Sequence, residues 1–186
     1  VAASEFGRLT GSSGEGGFVW IKNRGPSGFG SALYDTARGA TYGLESTSNT
    51  NAQAQETSGL TAFNSNGFTL GNRSTLNGSN EEYVSWTWRK APKFFDVVTY
   101  TGNNTARTIS HNLGSVPGMI IIKRTDSSDI WYVYHRSLGE GKRLKLHQTT
   151  AAEDDDASMD DTAPTSTVFT IGSNVNHVNA DGSTFV

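Results

Sequence analysis

An internal repeat constrains the fold of this chain more than any other feature of its sequence. The segment Gly17–Lys22 (GFVWIK) returns about 100 residues later as Gly118–Lys123 (GMIIIK), a spacing typical of tandem domains rather than of a solenoid. Further pairs occur in the same order: Tyr34–Gly39 with Tyr134–Gly139, Leu44 with Leu144, and Phe68–Gly71 with Phe169–Gly172. The sequence therefore predicts two copies of one domain.

The repeated segments are short, and Gly, Pro and Asn bound them, which is typical of β-strands separated by turns. In the first copy the predicted strands are Phe18–Lys22, Ala32–Asp35, Ala40–Leu44, Leu60–Phe63, Phe68–Leu70 and Tyr83–Trp88. In the second they are Val97–Tyr100, Thr105–Ser110, Met119–Lys123, Arg143–Leu146 and Phe169–Ile171. The turn Asn64–Gly67 predicts a tight hairpin because it contains Asn-Gly. Helical structure is expected at most as a single turn, at Ser58–Ala62 or Ala151–Ser158.

This pattern predicts an all-β fold of two tandem antiparallel β-sandwich domains of the jelly-roll or lectin-like kind. We expect a Gly/Ser-rich lead-in at residues 1–16, a first sandwich at residues 17–92 and a second at residues 93–186. Thr184–Val186 corresponds to Glu82–Val84, whose strand runs on through Trp88. We therefore expect the second copy to be truncated at its last strand and the protein to continue past Val186.

Composition excludes several classes of protein. The formal net charge is −3 and the pI is about 5.8, so a basic face for nucleic acid is not expected. Cysteine is absent, which excludes disulfides and thiolate metal sites. No apolar run approaches the length of a membrane span. We expect neither nucleic-acid binding nor membrane insertion.

The polar residues predict no catalytic, cofactor-binding or metal-binding site. The four histidines lack the i, i+4 or i, i+2 spacing of metal ligands, and we interpret them as polar side chains at turns and strand ends: His111, His135, His147 and His177. In the bend His111–Gly114, the imidazole or the Asn112 side chain is expected to bond to backbone groups, and Gly114 to adopt a positive φ.

Acidic residues leave two alternatives open. The run Glu153–Asp156 could bind calcium, but it lacks the alternating ligand spacing, and a solvated charge run is the preferred interpretation. A carboxylate pair for glycoside cleavage remains open, although nothing selects two among Asp35, Glu45, Glu81, Glu82 and Asp96. No Gly-x-Ser-x-Gly nucleophile elbow occurs. The residues by themselves therefore select no enzymatic activity.

Aromatic residues and loops are the remaining candidates for binding. Most of the large aromatics lie in alternating strand patterns, which favours a place in the core, although stacking on sugar rings stays open: Trp20, Trp86, Trp88, Trp131 and Tyr134. The polar segments Glu45–Ser58 and Gln148–Thr162 are predicted to be exposed loops. Since recognition residues collect on loops, we expect any binding there.

Several segments resemble a family of repeated β domains found in long virion structural proteins of bacteriophages, notably marine and cyanobacterial ones, often described as tail-fibre-like or lectin-like. The segments that carry the resemblance are Gly14–Arg24, Tyr34–Gly39, Leu60–Gly71, Tyr83–Lys90, Phe94–Lys123 and Pro164–Gly172. The most distinctive combination is Ser85–Lys90 (SWTWRK) followed by Phe94–Gly102 (FFDVVTYTG).

The resemblance implies a non-enzymatic virion structural protein that is assembled in the host cytoplasm. A tail-fibre or appendage segment that contributes to host attachment is the first expectation. A capsid decoration or cement protein is the alternative, and a carbohydrate-binding module is the second alternative. The implied partners are other virion proteins, further copies of the chain in a homo-oligomer, and a host surface glycan.

Overall fold

The structure, a computed structural model, describes residues 16–47 and 52–186. They form short antiparallel strands with two single helical turns, which confirms the all-β prediction. The chain divides into two compact units, with the boundary between Val97 and Val98. The predicted lead-in lies outside the described residues except for Gly16, and so do positions 48–51 of the first predicted loop.

The first unit is built on one five-stranded sheet. Its elements are β1 (Gly17–Asn23), β2 (Ser31–Asp35), β3 (Tyr42–Glu45), β4 (Ala54–Gln55), β5 (Leu60–Asn64), β6 (Gly67–Leu70), α1 (Ser74–Asn77) and β7 (Tyr83–Arg89). The sheet order is β4-β3-β2-β1-β7, and β5 and β6 form a separate hairpin. The hairpin turns at Ser65-Asn66 and Gly67 has a φ of 156°, so the predicted tight turn is confirmed.

Strand β1 shows why this sheet has two different faces. Its residues alternate between buried and half-buried, so Val19 and Ile21 point to one side while Phe18 and Trp20 point to the other. Val19 and Ile21 enter a core that also contains Ala32, Tyr34, Leu60, Phe63 and Leu76. The core therefore lies between the five-stranded sheet, the β5–β6 hairpin and α1.

The second unit has a four-stranded sheet and two further strand pairs. Its elements are β8 (Tyr100–Thr101), β9 (Arg107–Ser110), β10 (Met119–Lys123), β11 (Trp131–His135), β12 (Lys142–Lys145), β13 (Glu153–Asp154), β14 (Val168–Ile171), α2 (Asn176–Asn179) and β15 (Thr184–Phe185). The order of the larger sheet is β10-β11-β12-β13, while β14 pairs with β9 and β15 with β8. Its core contains Ile109, Ile122, Tyr132, Tyr134, Met159, Phe169, Ile171, Val175, Val178, Ala180 and Phe185.

Equivalent contacts recur in both units, which extends the sequence repeat to three dimensions. In the first unit the Lys22 ammonium donates a hydrogen bond to the carbonyl of Phe29 at 2.6 Å, and in the second the Lys123 ammonium donates to that of Asp129 at 2.6 Å. At the end of each helical turn an Asn side chain bonds back to a glycine carbonyl, Asn77 to Gly71 and Asn179 to Gly172.

The predicted strand at Val97–Tyr100 is wrong, because only Tyr100 belongs to a strand. The two runs around the Gly102 turn pair with distant strands rather than with each other, β8 with β15 and β9 with β14. The turn packs closely on the chain after α2, where a Cβ on Gly102 would lie 2.2 Å from the carbonyl oxygen of Ala180. Contacts between residues far apart in the sequence therefore decide how these strands pair.

Helical turns form at α1 and α2 rather than at the two predicted positions. Leu60–Asn64 is strand β5, and Glu153–Asp154 is strand β13. Each observed helical turn places one apolar residue in the core, Leu76 in α1 and Val178 in α2. A single buried residue produces no helical periodicity, so sequence reasoning could not detect these turns.

We expect Asn179→Ala to lower the free energy of unfolding by about 3 kcal/mol. The Asn179 side chain is fully buried, donates to the carbonyls of Thr105 and Gly172, and accepts from the backbone N–H of Asn103. Its loss removes the partner of three backbone groups, of which the Gly172 carbonyl is buried. Urea denaturation followed by circular dichroism measures the change.

Asn77→Ala is the matched control, because its equivalent side chain makes one exposed bond to Gly71. This substitution should lower the free energy of unfolding by less than about 1 kcal/mol. Equal losses for the two variants would contradict a special role for Asn179.

Candidate functional site

A cluster of large aromatic residues covers the side of the first sheet that faces away from its core. Strand β1 provides Phe18 and Trp20, and strand β7 provides Trp88 and Trp86 directly opposite them in the antiparallel register. Phe95, in the turn that follows β7, completes the set. We call these five residues the aromatic face.

The aromatic face is a connected array rather than a set of isolated rings. Phe18 lies 5.4 Å from Trp88 and 5.9 Å from Phe95 between ring centroids, and Trp20 lies 6.4 Å from Trp86 and 6.5 Å from Trp88. Most of the pairs are tilted or edge-to-face, which are favoured arrangements of aromatic rings. Cross-strand pairing on a sheet therefore holds the rings in place.

Polar contacts fix the turn that carries Phe95. The Lys90 ammonium lies 2.8 Å from a carboxylate oxygen of Asp96 and donates to the carbonyl of Val97. Ala91 and Phe95 form an isolated antiparallel bridge. The turn also leaves Phe94 exposed over 64% of its surface. Apolar rings are thus presented both on the strands and on the adjoining turn.

The core interpretation is wrong for three of the five large aromatics. Trp86 is 47% exposed, and Trp20 and Trp88 are half-buried on the face opposite the core. Strand alternation is identical for either face, so the period-two pattern could not show which side carries the core. Trp131 and Tyr134 are both 3% exposed, and for them the prediction of burial is confirmed.

A second cluster, in the other unit, contains the residue types of a hydrolase triad. The Ser158 hydroxyl donates to a carboxylate oxygen of Asp155 at 2.6 Å, and it lies 2.7 Å from Nε2 of His177. Arg143 also donates to Asp155, at 3.2 Å, and the Tyr132 ring stacks on His177 at 5.9 Å. These partners come from β11, β12, the chain after β13, and α2.

The arrangement of this cluster does not activate Ser158. In a catalytic relay the carboxylate lies on the imidazole nitrogen remote from the nucleophile. Here Asp155 lies on the same side as Ser158, 3.8 Å from Nε2 of His177, and bonds the hydroxyl directly. Ser158 is also fully buried. The cluster therefore acts as a buried polar link between β12, the loop after β13 and α2.

Electrostatics within the cluster stabilise ionised Asp155. Burial alone would raise the pKa of its carboxyl, but hydrogen bonds from His177 and Ser158 and the charge of Arg143 together lower that pKa to about 2. Sequence reasoning missed this cluster because its members are separated by intervening strands and share no motif spacing.

The other histidines have backbone roles. Nδ1 of His111 accepts the N–H of Leu113 at 3.2 Å, and Gly114 has a φ of 66°, so the predicted bend is confirmed. Nδ1 of His135 accepts the N–H of Ser137 at 3.3 Å. In the first copy the equivalent turn is capped by the Asp35 carboxylate, which accepts the N–H of Arg38.

The acidic run is ion-paired rather than uniformly solvated, which corrects the preferred interpretation. Glu153 contacts Arg143 at 3.0 Å and Lys145 at 2.7 Å, and Asp154 contacts Lys142. Asp155 is 8% exposed. Basic residues on β12 face this run across the β12–β13 pair, which places opposite charges side by side.

Four of the five candidate carboxylates have separate partners. Asp35 pairs with Arg38 at 2.6 Å, and Glu81 accepts hydrogen bonds from Asn23 and Ser27. The remaining contacts are Glu45 with Arg73 at 3.7 Å and Asp96 with Lys90 at 2.8 Å. Within residues 16–47 and 52–186, no group of three His, Cys, Asp or Glu side chains could hold a metal ion.

Lys123 is a buried cation that sequence reasoning also missed. It is fully buried beside the Trp131 ring, with its ammonium 5.9 Å from the ring centroid. Burial lowers its pKa to about 8, partly offset by the charge of Asp129. Since Lys22 makes the same carbonyl contact in the first unit, this contact belongs to the shared architecture of the repeat.

We expect Trp86→Ala to lower the free energy of unfolding by about 1 kcal/mol, the value of an exposed aromatic pair. Trp131→Ala, at a buried position, should lower the free energy of unfolding by about 3–5 kcal/mol. Urea denaturation of both variants measures the difference. Similar losses would show that Trp86 belongs to a packed interior.

We expect the stability difference between the native chain and Asp155→Asn to shrink by about 1–2 kcal/mol between pH 6 and pH 2. The folded-state pKa of Asp155 is lowered to about 2, below the unfolded value of about 3.9. The stabilisation is therefore complete above the unfolded value and is lost as the pH falls through the folded one.

Denaturant titrations across this pH range measure that difference. Asp156→Asn, at an exposed neighbouring position, is the matched control. If the stability difference between the native chain and Asp155→Asn stayed constant with pH, it would contradict the lowered pKa of Asp155 in the folded state.

Comparison with known proteins identifies one family. The family described as a domain of unknown function (DUF7483) matches residues 3–186, so a single match spans both units. Neither curated proteins nor solved structures gave a match. Within the described part of the chain, no helix has the length and apolar character needed to cross a membrane. With nearly all of its length covered by that one match, the chain belongs to the DUF7483 family.

Proposed function

We propose that this protein is a non-enzymatic structural component of a bacteriophage virion, a tail-fibre or appendage segment that contributes to host attachment. The observation that carries the proposal is the aromatic face. Trp86 and Trp88 lie in Ser85–Lys90, and Phe95 lies in Phe94–Gly102, the combination that most distinctively resembles virion proteins. With Trp86 exposed and Trp88 and Phe95 half-buried, these residues form a partly exposed apolar surface, which suits attachment to another surface.

Two tandem β-sandwich domains are the architecture that we propose for this role. Each unit has its own apolar core. In the first unit, residues of the large sheet meet residues of the β5–β6 hairpin; in the second, β10 and β11 meet β9, β14 and β15. Two strand layers around one core are the defining feature of a sandwich.

The absence of cysteine is compatible with assembly in a reducing host cytoplasm. The proposed partners are other virion proteins and further copies of this chain, because fibres and appendages are symmetric oligomers. A non-enzymatic role is supported by the buried Ser158 cluster, whose Asp155 lies on the wrong side of the imidazole for a relay.

Imaging of purified particles with symmetry analysis tests the virion proposal. A small copy number at the tail, in multiples of three or six, is the expected result. Tens to hundreds of copies across the head would replace the fibre assignment with a capsid decoration or cement protein. Absence of the chain from particles would overturn both assignments.

A carbohydrate-binding module is the second candidate, favoured by the exposure of Trp86. Sugar rings stack on exposed aromatic rings, and Trp86 lies beside Trp20 in a fixed cross-strand position. The bound glycan would be one from the host surface. In this case the aromatic face, rather than the two polar loops, is the recognition surface.

We expect Trp86→Ala to weaken binding of host-surface oligosaccharides at least tenfold, a loss of about 1.4 kcal/mol. Isothermal titration calorimetry measures the affinity. Met119→Ala, which removes another exposed apolar side chain in the other unit, is the control and should leave the affinity unchanged. Equal effects of the two substitutions, or no binding by the native chain, would contradict the carbohydrate-binding candidate.

A further inference from the structure

Strand β7 is the outermost strand of the five-stranded sheet in the first unit. On its inner side it pairs with β1 along its whole length, from Tyr83 to Arg89. Among residues 16–47 and 52–186, no strand pairs with its outer side. Many proteins protect such an edge with a short strand, a proline or a bulge. Strand β7 has seven residues without a proline, and its register with β1 is regular, so its edge is open to a further strand.

The pairing with β1 determines which backbone groups of β7 face outwards. At the two ends of the ladder, the N–H of Lys90 donates to the carbonyl of Gly16 at 2.9 Å, and the N–H of Arg24 donates to that of Glu82 at 2.6 Å. Alternate residues of an antiparallel strand direct their N–H and C=O groups to the same side. The even-numbered residues of β7 therefore bond to β1, whereas the odd-numbered residues of Tyr83–Arg89 direct these groups outwards.

The charges at the two ends of β7 favour a second copy of the same strand as its neighbour. The N-terminal end carries Glu81 and Glu82, and the C-terminal end carries Arg89 and Lys90, of which Lys90 also contacts Asp96. Antiparallel pairing of two β7 strands places the acidic end of one beside the basic end of the other, whereas parallel pairing places like charges together. Opposite charges on facing strands are favourable, and like charges are unfavourable.

The aromatic side chains favour one register for this pairing. A two-fold axis at Trp86 places this residue opposite itself in the second copy, Val84 opposite Trp88, and Glu82 opposite Lys90. The backbone groups of Trp86 bond to β1, so at the outer edge it occupies a non-hydrogen-bonded position, where facing side chains lie closest. Aromatic pairs in such positions stabilise a sheet, and Trp86 is 47% exposed.

We propose that the outer edge of β7 pairs in antiparallel with the same edge of a second copy of this chain, with Trp86 at the two-fold axis. Outward backbone groups of β7 join the two sheets, and their aromatic faces become one continuous surface. The assembly stops at two copies, because the other edge of the sheet is β4, which has two residues. The inference deepens the proposed function, on which it rests for the presence of a homo-oligomer, by naming the surface where the copies meet.

Sedimentation velocity of the purified chain tests this pairing. We expect the native chain to form dimers at about 100 μM, as a small interface allows. Thr87→Pro removes an outward N–H and leaves the bonds to β1 in place, and proline is tolerated in edge strands. It should weaken dimerisation by about tenfold or more. Thr87→Val is the matched control, which keeps the N–H and should dimerise like the native chain, and circular dichroism checks that both variants are folded.

Disulfide cross-linking tests the register without changing Trp86, because the native chain has no cysteine. In the proposed register Ser85 of one copy lies opposite Thr87 of the other, within reach of a disulfide. A mixture of Ser85→Cys and Thr87→Cys should therefore cross-link in a glutathione redox buffer. Either variant alone should not cross-link, since its two copies of the cysteine lie diagonally, about 7–8 Å apart.

A native chain that stays monomeric at this concentration, or that forms trimers, would overturn the proposal. Equal dimerisation of Thr87→Pro and Thr87→Val would also overturn it, and so would cross-linking of Ser85→Cys with itself or no cross-linking in the mixture. These measurements use the purified chain, so their failure leaves the virion proposal in place. Absence of the chain from particles, in turn, does not change the expected pairing in solution.

Discussion

The cross-strand pairing of β1 with β7 is the interaction on which the first unit depends. It places Val19 and Ile21 in the core and, on the opposite side, sets Phe18 and Trp20 against the tryptophans of β7. A strand that is apolar on both faces has to be covered on both. The core is one cover, and the array of aromatic rings is the other. The stability of the sheet and the surface proposed for binding therefore come from the same strand pair.

The two units share several backbone contacts but differ in strand pairing, because β6 pairs with β5 whereas β14 pairs with β9. They also differ in the side chains that join their elements. In the first unit Arg73 contacts Glu56 at 3.3 Å near the surface. In the second, the corresponding region holds the buried link from Arg143 through Asp155 to His177. Charges enclosed in a low-dielectric interior interact more strongly than exposed ones, so the second link depends more on ionisation. The two units therefore share part of their backbone hydrogen bonding, while the electrostatics of these regions differ.

Much of the strand pattern could be predicted, since Met119–Lys123 is β10 as predicted and the hairpin turn before Gly67 forms as expected. These elements depend on local signals, namely alternation, β-branched residues and turn residues. The partners of β8 and β9 could not be predicted, because their pairing depends on strands that lie far away in the sequence. The candidate site could be predicted only in part. The sequence indicated that its tryptophans lie on strands, but it did not show that they lie on the side of the sheet opposite the core.

The sequence by itself determined the all-β class and the positions of most strands, because each follows from a short local pattern. Tertiary structure alone decided which side of the first sheet became the core, that Asn179 would bond three backbone groups, and that Asp155, Ser158 and His177 would meet. The physical reason is that alternation along a strand is symmetric with respect to its two faces. Only packing against other elements distinguishes the faces.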